Sequence, residues 1–169
     1  MDVIQITTDA SFRSETSVAA WAAVIHHEQE SYRPIRCFSG IIESNRCGYD
    51  ANSAEIVGVL QGMYMAFQHF PDISRYHIYC DNEYAVTNIT YALAKDTTRT
   101  SSFNKRPCDK LILDAIIRFQ KKHLLDISVF TIRTQSPYRE HFRKHHSVCD
   151  VLAGARRLQE ESEQGLLGV

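Results

Sequence analysis

The hydrophobic pattern of this chain changes period along its length, and the order of those changes limits the fold more than any other feature. Three short apolar segments, at residues 3–7, 18–25 and 34–42, are separated by polar turns. Segments of this length and spacing favour a three-stranded antiparallel meander. From residue 52 to residue 70 the apolar positions recur at three- and four-residue steps, which predicts a helix, and Asn52 with Glu55 has the spacing of a capping box.

The rest of the chain alternates helices and strands. The predicted elements are a strand at 75–80, a short helix at 83–89, a helix at 110–123, a strand at 127–133 and a helix at 149–163. Residues 97–107 and 134–146 are polar and aperiodic, which indicates loops. An antiparallel meander followed by alternating helices and strands predicts an α/β fold. We expect a five-stranded mixed sheet, in which parallel strands extend the antiparallel meander, with helices on both faces.

Composition is that of an ordinary globular domain. The 169 residues are 44% hydrophobic and 23% charged with a net charge of −1, so we expect a single domain over residues 1–169. No stretch approaches the roughly eighteen apolar residues of a membrane-spanning helix. The five cysteines include no C-x-x-C pair, and no secretory signal is evident. We therefore expect a monomer with reduced thiols, located in the cytoplasm, or in the nucleus or an organelle of a eukaryotic or viral host.

Four acidic residues stand at special positions of this pattern. Asp9 and Asp81 follow the first and fourth predicted strands, Glu55 lies in the first turn of the long helix, and Asp150 begins the last helix. Singly, each has a simpler explanation as a turn former, a helix cap or a favourable charge at a helix N-terminus. Together they predict one carboxylate cluster, because the ends of adjacent parallel strands meet at one edge of a sheet.

Such a cluster is costly unless cations occupy it, since nearby carboxylates oppose one another's ionisation. Oxygen ligands suit Mg²⁺, with Mn²⁺ as an alternative. Two such ions about 3.5–4 Å apart stabilise the attacking and leaving oxygens of an in-line displacement at phosphorus. The sequence therefore predicts a site for two divalent ions and no organic cofactor.

Basic residues are clustered although the net charge is near zero. One cluster lies in the aperiodic segment and contains Arg99, Lys105, Arg106 and Lys110; others lie at residues 121–123 and 133–146. Such clusters are either phosphate-binding surfaces or solvated faces, and the sequence alone leaves both open.

Four short motifs resemble the ribonuclease H family, in its type 1 enzymes and in the corresponding domains of reverse transcriptases. They are residues 7–11 (TTDAS, family T-D-G-S), 52–56 (NSAEI, family N-x-A-E-L), 78–84 (IYCDNEY, family I-x-T-D-S-x-Y) and 149–153 (CDVLA, family A-D-x-L-A). They occur in the family's order over nearly the whole chain. The resemblance implies a ribonuclease H-like fold.

The resemblance also implies a function, namely a metal-dependent endonuclease that hydrolyses the RNA strand of RNA–DNA hybrids. Its metal ligands would be Asp9, Glu55, Asp81 and Asp150, and the basic segment at residues 99–110 would grip the DNA strand.

Three departures from the family concern glycine and histidine. Alanines replace the glycines usual in the second strand, and Ala10 replaces the glycine of the T-D-G-S motif. The histidine usually found ten residues before the last aspartate is replaced by Glu140. The neighbouring His141 is the candidate for a proton-shuttle or product-release role, with His145 and His146 as rivals and a solvated basic loop as the alternative.

Two other functions fit the same fold. One is a non-catalytic nucleic-acid-binding or scaffold module, and the other is a related nuclease, a junction resolvase or exonuclease, acting on DNA. Retention of four mutually repelling carboxylates argues against a scaffold. The position of Glu55 on the first helix favours hybrid cleavage over the DNA nucleases.

Overall fold

A computed structural model describes residues 2–27, 36–43, 50–95, 106–132 and 139–167, the side chains of residues 139–141 excepted. Its strands are β1 (Ile4–Arg13), β2 (Val18–His27), β3 (Arg36–Ile42), β4 (Arg75–Cys80) and β5 (Asp126–Thr131). Its helices are α1 (Ala51–His69), α2 (Glu83–Lys95), α3 (Pro107–His123) and α4 (Arg139–Glu163). No helix in the described ranges is long and apolar enough to cross a membrane.

The strands form one five-stranded sheet in the order β3-β2-β1-β4-β5. Strands β1, β2 and β3 pair antiparallel, whereas β4 pairs parallel with both β1 and β5. The predicted mixed sheet, with a meander extended by parallel strands, is therefore confirmed.

The side chains of β2 alternate between two cores and so place helices on opposite faces of the sheet. Trp21 and Ala23 belong to the main core with α1, α2 and α3, whereas Ala22 and Val24 pack against Cys149 and Ala153 of α4. The predicted helices on both faces are confirmed.

Small residues allow α1 to lie close to the sheet. A Cβ added at Gly62 would come within 2.9 Å of Ile6 Cγ2 and 3.0 Å of Thr8 Cγ2. Since such contacts are closer than packed atoms tolerate, glycine is required there for α1 to approach β1.

Several predicted boundaries are wrong, most of all that of α4. This helix begins at Arg139, ten residues before the predicted start, so residues 139–146 are helix rather than loop. The run has few apolar residues, yet its buried Phe142, His145 and Cys149 follow helical three- and four-residue steps. Similarly, α2 continues to Lys95 instead of ending at residue 89.

Two helices also begin differently from the prediction. Asp50 is the N-cap of α1 and accepts a hydrogen bond of 2.8 Å from the backbone N–H of Ser53, so the predicted capping box on Asn52 is wrong. Helix α3 begins at Pro107, three residues before its predicted start, because proline is favoured in the first helical turn, where its missing N–H is not needed.

Candidate metal centre

Asp9 and Asp81 lie side by side where two parallel strands separate. The last parallel pair of β1 and β4 is Thr7 with Tyr79, and each aspartate follows two residues later. Beyond this point β1 continues beside β2, with Asp9 opposite Ala22. The two carboxylates therefore meet as predicted, but Asp9 is the sixth of the ten residues of β1 rather than its end, because the strand continues to Arg13.

Asp81 is not the cap of the helix that follows it. Asn82 performs that role, because its side-chain oxygen accepts a hydrogen bond of 2.8 Å from the backbone N–H of Ala85. Asp81 is therefore not explained as the cap of α2, and its carboxylate belongs to the acidic cluster with Asp9.

Glu55 joins the cluster from the second turn of α1. It is buried, its carboxyl hydrogen-bonds Asp9, and Cys80 Sγ donates to its Oε2 at 3.7 Å. Burial, followed by the charges of Asp9 and Asp81, raises the pKa of Glu55 to about 9. Without a cation, Glu55 is therefore protonated at neutral pH.

The amino end of α1 is fixed by a buried network that positions Glu55. Asp109 of α3 accepts hydrogen bonds from the hydroxyls of Ser53 on α1 and Tyr84 on α2, the latter at 2.8 Å. Because Ser53 lies two residues before Glu55, this network ties three helices together beside the site.

His146 of α4 contacts both Asp9 and Asp81. Its Nε2 lies 3.3 Å from Asp81 Oδ2 and 3.6 Å from Asp9 Oδ1, and its side chain is 22% exposed. Asp81 and Asp9 raise the pKa of His146 to about 10. When no metal ion is bound, a protonated His146 would balance part of the charge of these carboxylates.

Packing between α4 and β4 holds His146 in place. The ring of Phe142, one helical turn before His146, stacks on Tyr79 with centroids 3.7 Å apart and an interplanar angle of 18°. Tyr79 lies in β4, two residues before Asp81, which directly follows this strand. Successive turns of α4 therefore make the two contacts, Phe142 with Tyr79 and His146 with Asp81.

Asp150 lies apart from the compact cluster. It is the twelfth residue of α4, since the helix begins at Arg139, and its predicted place at the helix start is wrong. The side chain is exposed and follows His146 by one helical turn. Among the described residues, the groups with ligand atoms within 4.8 Å of one another are Asp9–Asp81–His146 and Glu55–Cys80–Asp81.

The structure describes two of the four predicted phosphate-binding residues. Arg106 forms an ion pair with Asp50, and its guanidinium lies 5.4 Å from the centroid of the Tyr84 ring. Lys110 is half-buried on α3. Arg99 and Lys105 lie outside the described residues. Arg106 is therefore engaged within the protein.

Of the two candidate histidines whose side chains the structure describes, His146 is the one in the cluster. His145 is buried, with its ring centroid 4.8 Å from that of His26. The side chain of His141 lies outside the described residues. Sequence reasoning ranked His146 only as a rival, although its spacing of four residues from Asp150 places both on one helical face once α4 is extended.

Solved structures share this architecture. The N-terminal RNase H domain of rv2228c from Mycobacterium tuberculosis is 17% identical with a TM-score of 0.67, over 97% of this chain and 99% of that one. RNase H1 from Halobacterium salinarum is 15% identical with a TM-score of 0.61, over 91% and 96%. LC11-RNase H1, isolated from compost by a metagenomic approach, is 14% identical with a TM-score of 0.66, over 93% and 98%.

The chain has the ribonuclease H fold. The resemblance seen in the four motifs is thereby confirmed at the level of the fold. No protein-family model and no curated protein sequence matches the chain. Within this ribonuclease H fold, the described acidic residues whose ligand atoms are close enough to hold a metal ion lie where β1 and β4 separate.

Proposed function

We propose that this protein is a ribonuclease H, a metal-dependent endonuclease that hydrolyses the RNA strand of RNA–DNA hybrids. The observation that carries the proposal is that Asp9, Glu55 and Asp81 lie together where the inner strands β1 and β4 of a ribonuclease H fold separate. LC11-RNase H1, which has a similar fold, is known in complex with an RNA/DNA hybrid. Since fold alone does not determine function, the carboxylates are the stronger argument.

The donor set fits divalent cations that prefer oxygen ligands. Asp9, Glu55 and Asp81 would hold the ions, which are Mg²⁺ or alternatively Mn²⁺, and Asp150 would complete the site from α4. Two such ions stabilise the developing charge on the attacking and leaving oxygens of an in-line displacement at phosphorus. The raised pKa of Glu55 supports this assignment, because a buried cluster of this kind ionises fully only beside a cation.

The side chains around the cluster have separate tasks in this proposal. Asp9 is held by a hydrogen bond of 2.9 Å from the backbone N–H of Ala10, which keeps its carboxylate directed into the site. His146 Nε2 lies beside the two aspartates, and we assign this residue the proton-shuttle or product-release role predicted first for His141.

The basic segment keeps its predicted role of gripping the DNA strand through phosphates. Arg99, Lys105 and Lys110 are its candidate contacts. Arg106 would reach a phosphate only by exchanging its ion pair with Asp50. Because Asp50 caps α1, that exchange would occur at the helix that carries Glu55.

Cleavage assays on three duplexes test the function directly. With millimolar Mg²⁺ we expect the protein to cut the RNA strand of a labelled hybrid, leaving 3′-hydroxyl and 5′-phosphate ends, and to leave duplex DNA and duplex RNA intact. Chelation of the metal should abolish cutting. Cleavage of DNA would favour the junction-resolvase or exonuclease alternative, and hybrid binding without any cleavage would favour the scaffold.

Metal binding should also stabilise the fold, because the unfolded chain has no assembled cluster. At a free Mg²⁺ concentration 100 times the Kd, stabilisation would be about 2.7 kcal/mol, or a rise in Tm of roughly 5–10 °C for a chain of this size. Calorimetry with Mg²⁺, Mn²⁺ and Ca²⁺ measures the shift. Asp126→Asn, which changes a carboxylate at the opposite end of the parallel strands, should keep the full response. A wild-type Tm that none of the three ions moves would contradict a metal site.

A further inference from the structure

A second concave site lies between α1 and α3, away from the carboxylate cluster. It is a pocket of about 400 Å³, within the size range of sites that bind small ligands. Its lining residues combine aromatic rings with cations and include no acidic residue: they are Tyr64, Ala115, Arg118, Phe119, Lys122 and His123.

The floor of this α1–α3 pocket is aromatic. Tyr64 and Phe119 meet edge to face with centroids 4.6 Å apart, and Phe119 lies 4.6 Å from the ring of His123. Behind them, Phe67 is 4.0 Å from His123 and 5.6 Å from Phe119. Tyr64, Phe119 and His123 are each half-buried, so the packed rings still present surface to a ligand.

The rim of the pocket is cationic. Arg118 and Lys122 are exposed and stand one turn apart on α3, so they lie on the same helical face. Within the described part of the chain, neither forms an ion pair or a hydrogen bond. Lys122 lies in the last turn of α3, where a cation interacts favourably with the helix dipole, but that effect does not require it to flank an aromatic pocket and does not account for Arg118.

We propose that the α1–α3 pocket binds one nucleotide of a single-stranded nucleic acid. An aromatic floor accepts the face of any base, and adjacent cations accept the phosphate of the same nucleotide. Neither contact reads the sugar or the base edge, so DNA and RNA strands both fit. The site is therefore expected to bind without sequence preference.

The pocket extends the hybrid-cleaving site if the proposed function holds. Tyr64 follows Glu55 by nine residues, which is about 14 Å along α1. Nine residues also make two and a half helical turns, so Tyr64 lies on the side of α1 opposite Glu55. A strand that leaves the hybrid near the carboxylates would therefore pass around α1 to reach the pocket.

Binding of single strands by the intact chain tests the pocket independently of cleavage. Fluorescence anisotropy without divalent metal would follow an oligothymidylate and an oligouridylate of about ten nucleotides, within the site sizes usual for single-strand binding. The test variant is Arg118→Ala with Lys122→Ala. The control is Lys95→Ala with Arg156→Ala, which removes the same charge from α2 and α4 and includes a lysine in the last turn of its helix.

We expect the test variant to weaken binding of both oligonucleotides about tenfold or more, and its salt slope to fall by about 0.7 for each lost phosphate contact. The control should match the wild type. Tyr64→Leu should also weaken binding while leaving the salt slope unchanged, since it removes only stacking surface. Equal affinities for the test and control variants would overturn the proposal.

A further comparison separates this proposal from the proposed function. We expect the wild type to bind a hybrid with a single-stranded extension more tightly than a blunt hybrid. The test variant should cut the blunt hybrid at the wild-type rate but bind the two hybrids with equal affinity. If no hybrid is cut but strand binding still depends on Arg118 and Lys122, the pocket stands and the nuclease proposal fails. Weakened binding of only the oligothymidylate or only the oligouridylate would contradict a pocket whose contacts do not read the sugar.

Discussion

Asp9→Asn and Asp81→Asn should each lower the rate of hybrid cleavage by on the order of 10³-fold. Each substitution removes a negative oxygen from the cluster at the carboxyl end of the parallel strands. Metal ions supply several kcal/mol of transition-state stabilisation, and each 1.36 kcal/mol corresponds to a tenfold change in rate. Single-turnover cleavage of a labelled hybrid at saturating protein measures the loss.

Asp126→Asn is the matched control for these two variants. It makes the same chemical change at an exposed aspartate that pairs with Arg75 at 2.8 Å, at the end of the sheet opposite the cluster. Its cleavage rate should equal that of the wild type. Isothermal titration with Mg²⁺ should show weakened binding only in the site variants, and near wild-type turnover in either one would show that the metal site is misassigned.

The meeting of Asp9 and Asp81 could be predicted from sequence because it depends on local features. Each aspartate directly follows an apolar pattern typical of a strand. The order of the predicted strands and helices along the chain places these two strands parallel in one sheet. Glu55 was also predictable, since apolar residues at three- and four-residue steps predict the helix that carries it. What the pattern could not provide was the protonation of Glu55, which results from burial and from two neighbouring carboxylates.

His146 was not singled out because its role depends on where α4 begins. A run rich in charge and poor in apolar residues resembles a loop, and only tertiary contacts show that it is helical. Phe142 stacks on Tyr79, and Cys149 Sγ donates to the carbonyl oxygen of Thr7 at 3.3 Å. These long-range contacts fix the helix, and with it both His146 and the exposed position of Asp150.

The case of Arg106 shows a different limit of sequence reasoning. Its basic neighbours made it a candidate for phosphate binding, yet in the fold it pairs with Asp50 and packs over Tyr84. Charge clustering along a sequence does not distinguish a free cation from one already paired. Arg118 and Lys122 show the opposite limit. The sequence places both in α3, but only the fold brings Tyr64 of α1 beside them in the same pocket.

The stability of the metal-free protein should fall as the pH rises from about 5 to about 9. Burial and nearby carboxylates raise the pKa of Glu55 from 4.5 to about 9, and Asp81 and Asp9 raise that of His146 from 6.5 to about 10. Both groups bind their protons more tightly in the folded state, so the stability they confer is complete below the unfolded pKa and is lost towards the folded one. Each proton contributes a slope of at most about 1.4 kcal/mol per pH unit.

Urea unfolding in the presence of a chelator, measured at several pH values, tests this dependence. Glu55→Gln keeps a neutral side chain of the same shape, so it should remove the contribution of Glu55 to the fall, leave that of His146, and be the more stable protein at pH 8. Glu83→Gln, at an exposed glutamate in the first turn of α2, should keep the wild-type slope. With saturating Mg²⁺ the wild-type slope should become shallower or reverse, because the metal binds the deprotonated carboxylates and so gains affinity as the pH rises. A metal-free protein whose stability rises with pH over this range would show that Glu55 and His146 do not hold their protons in the cluster.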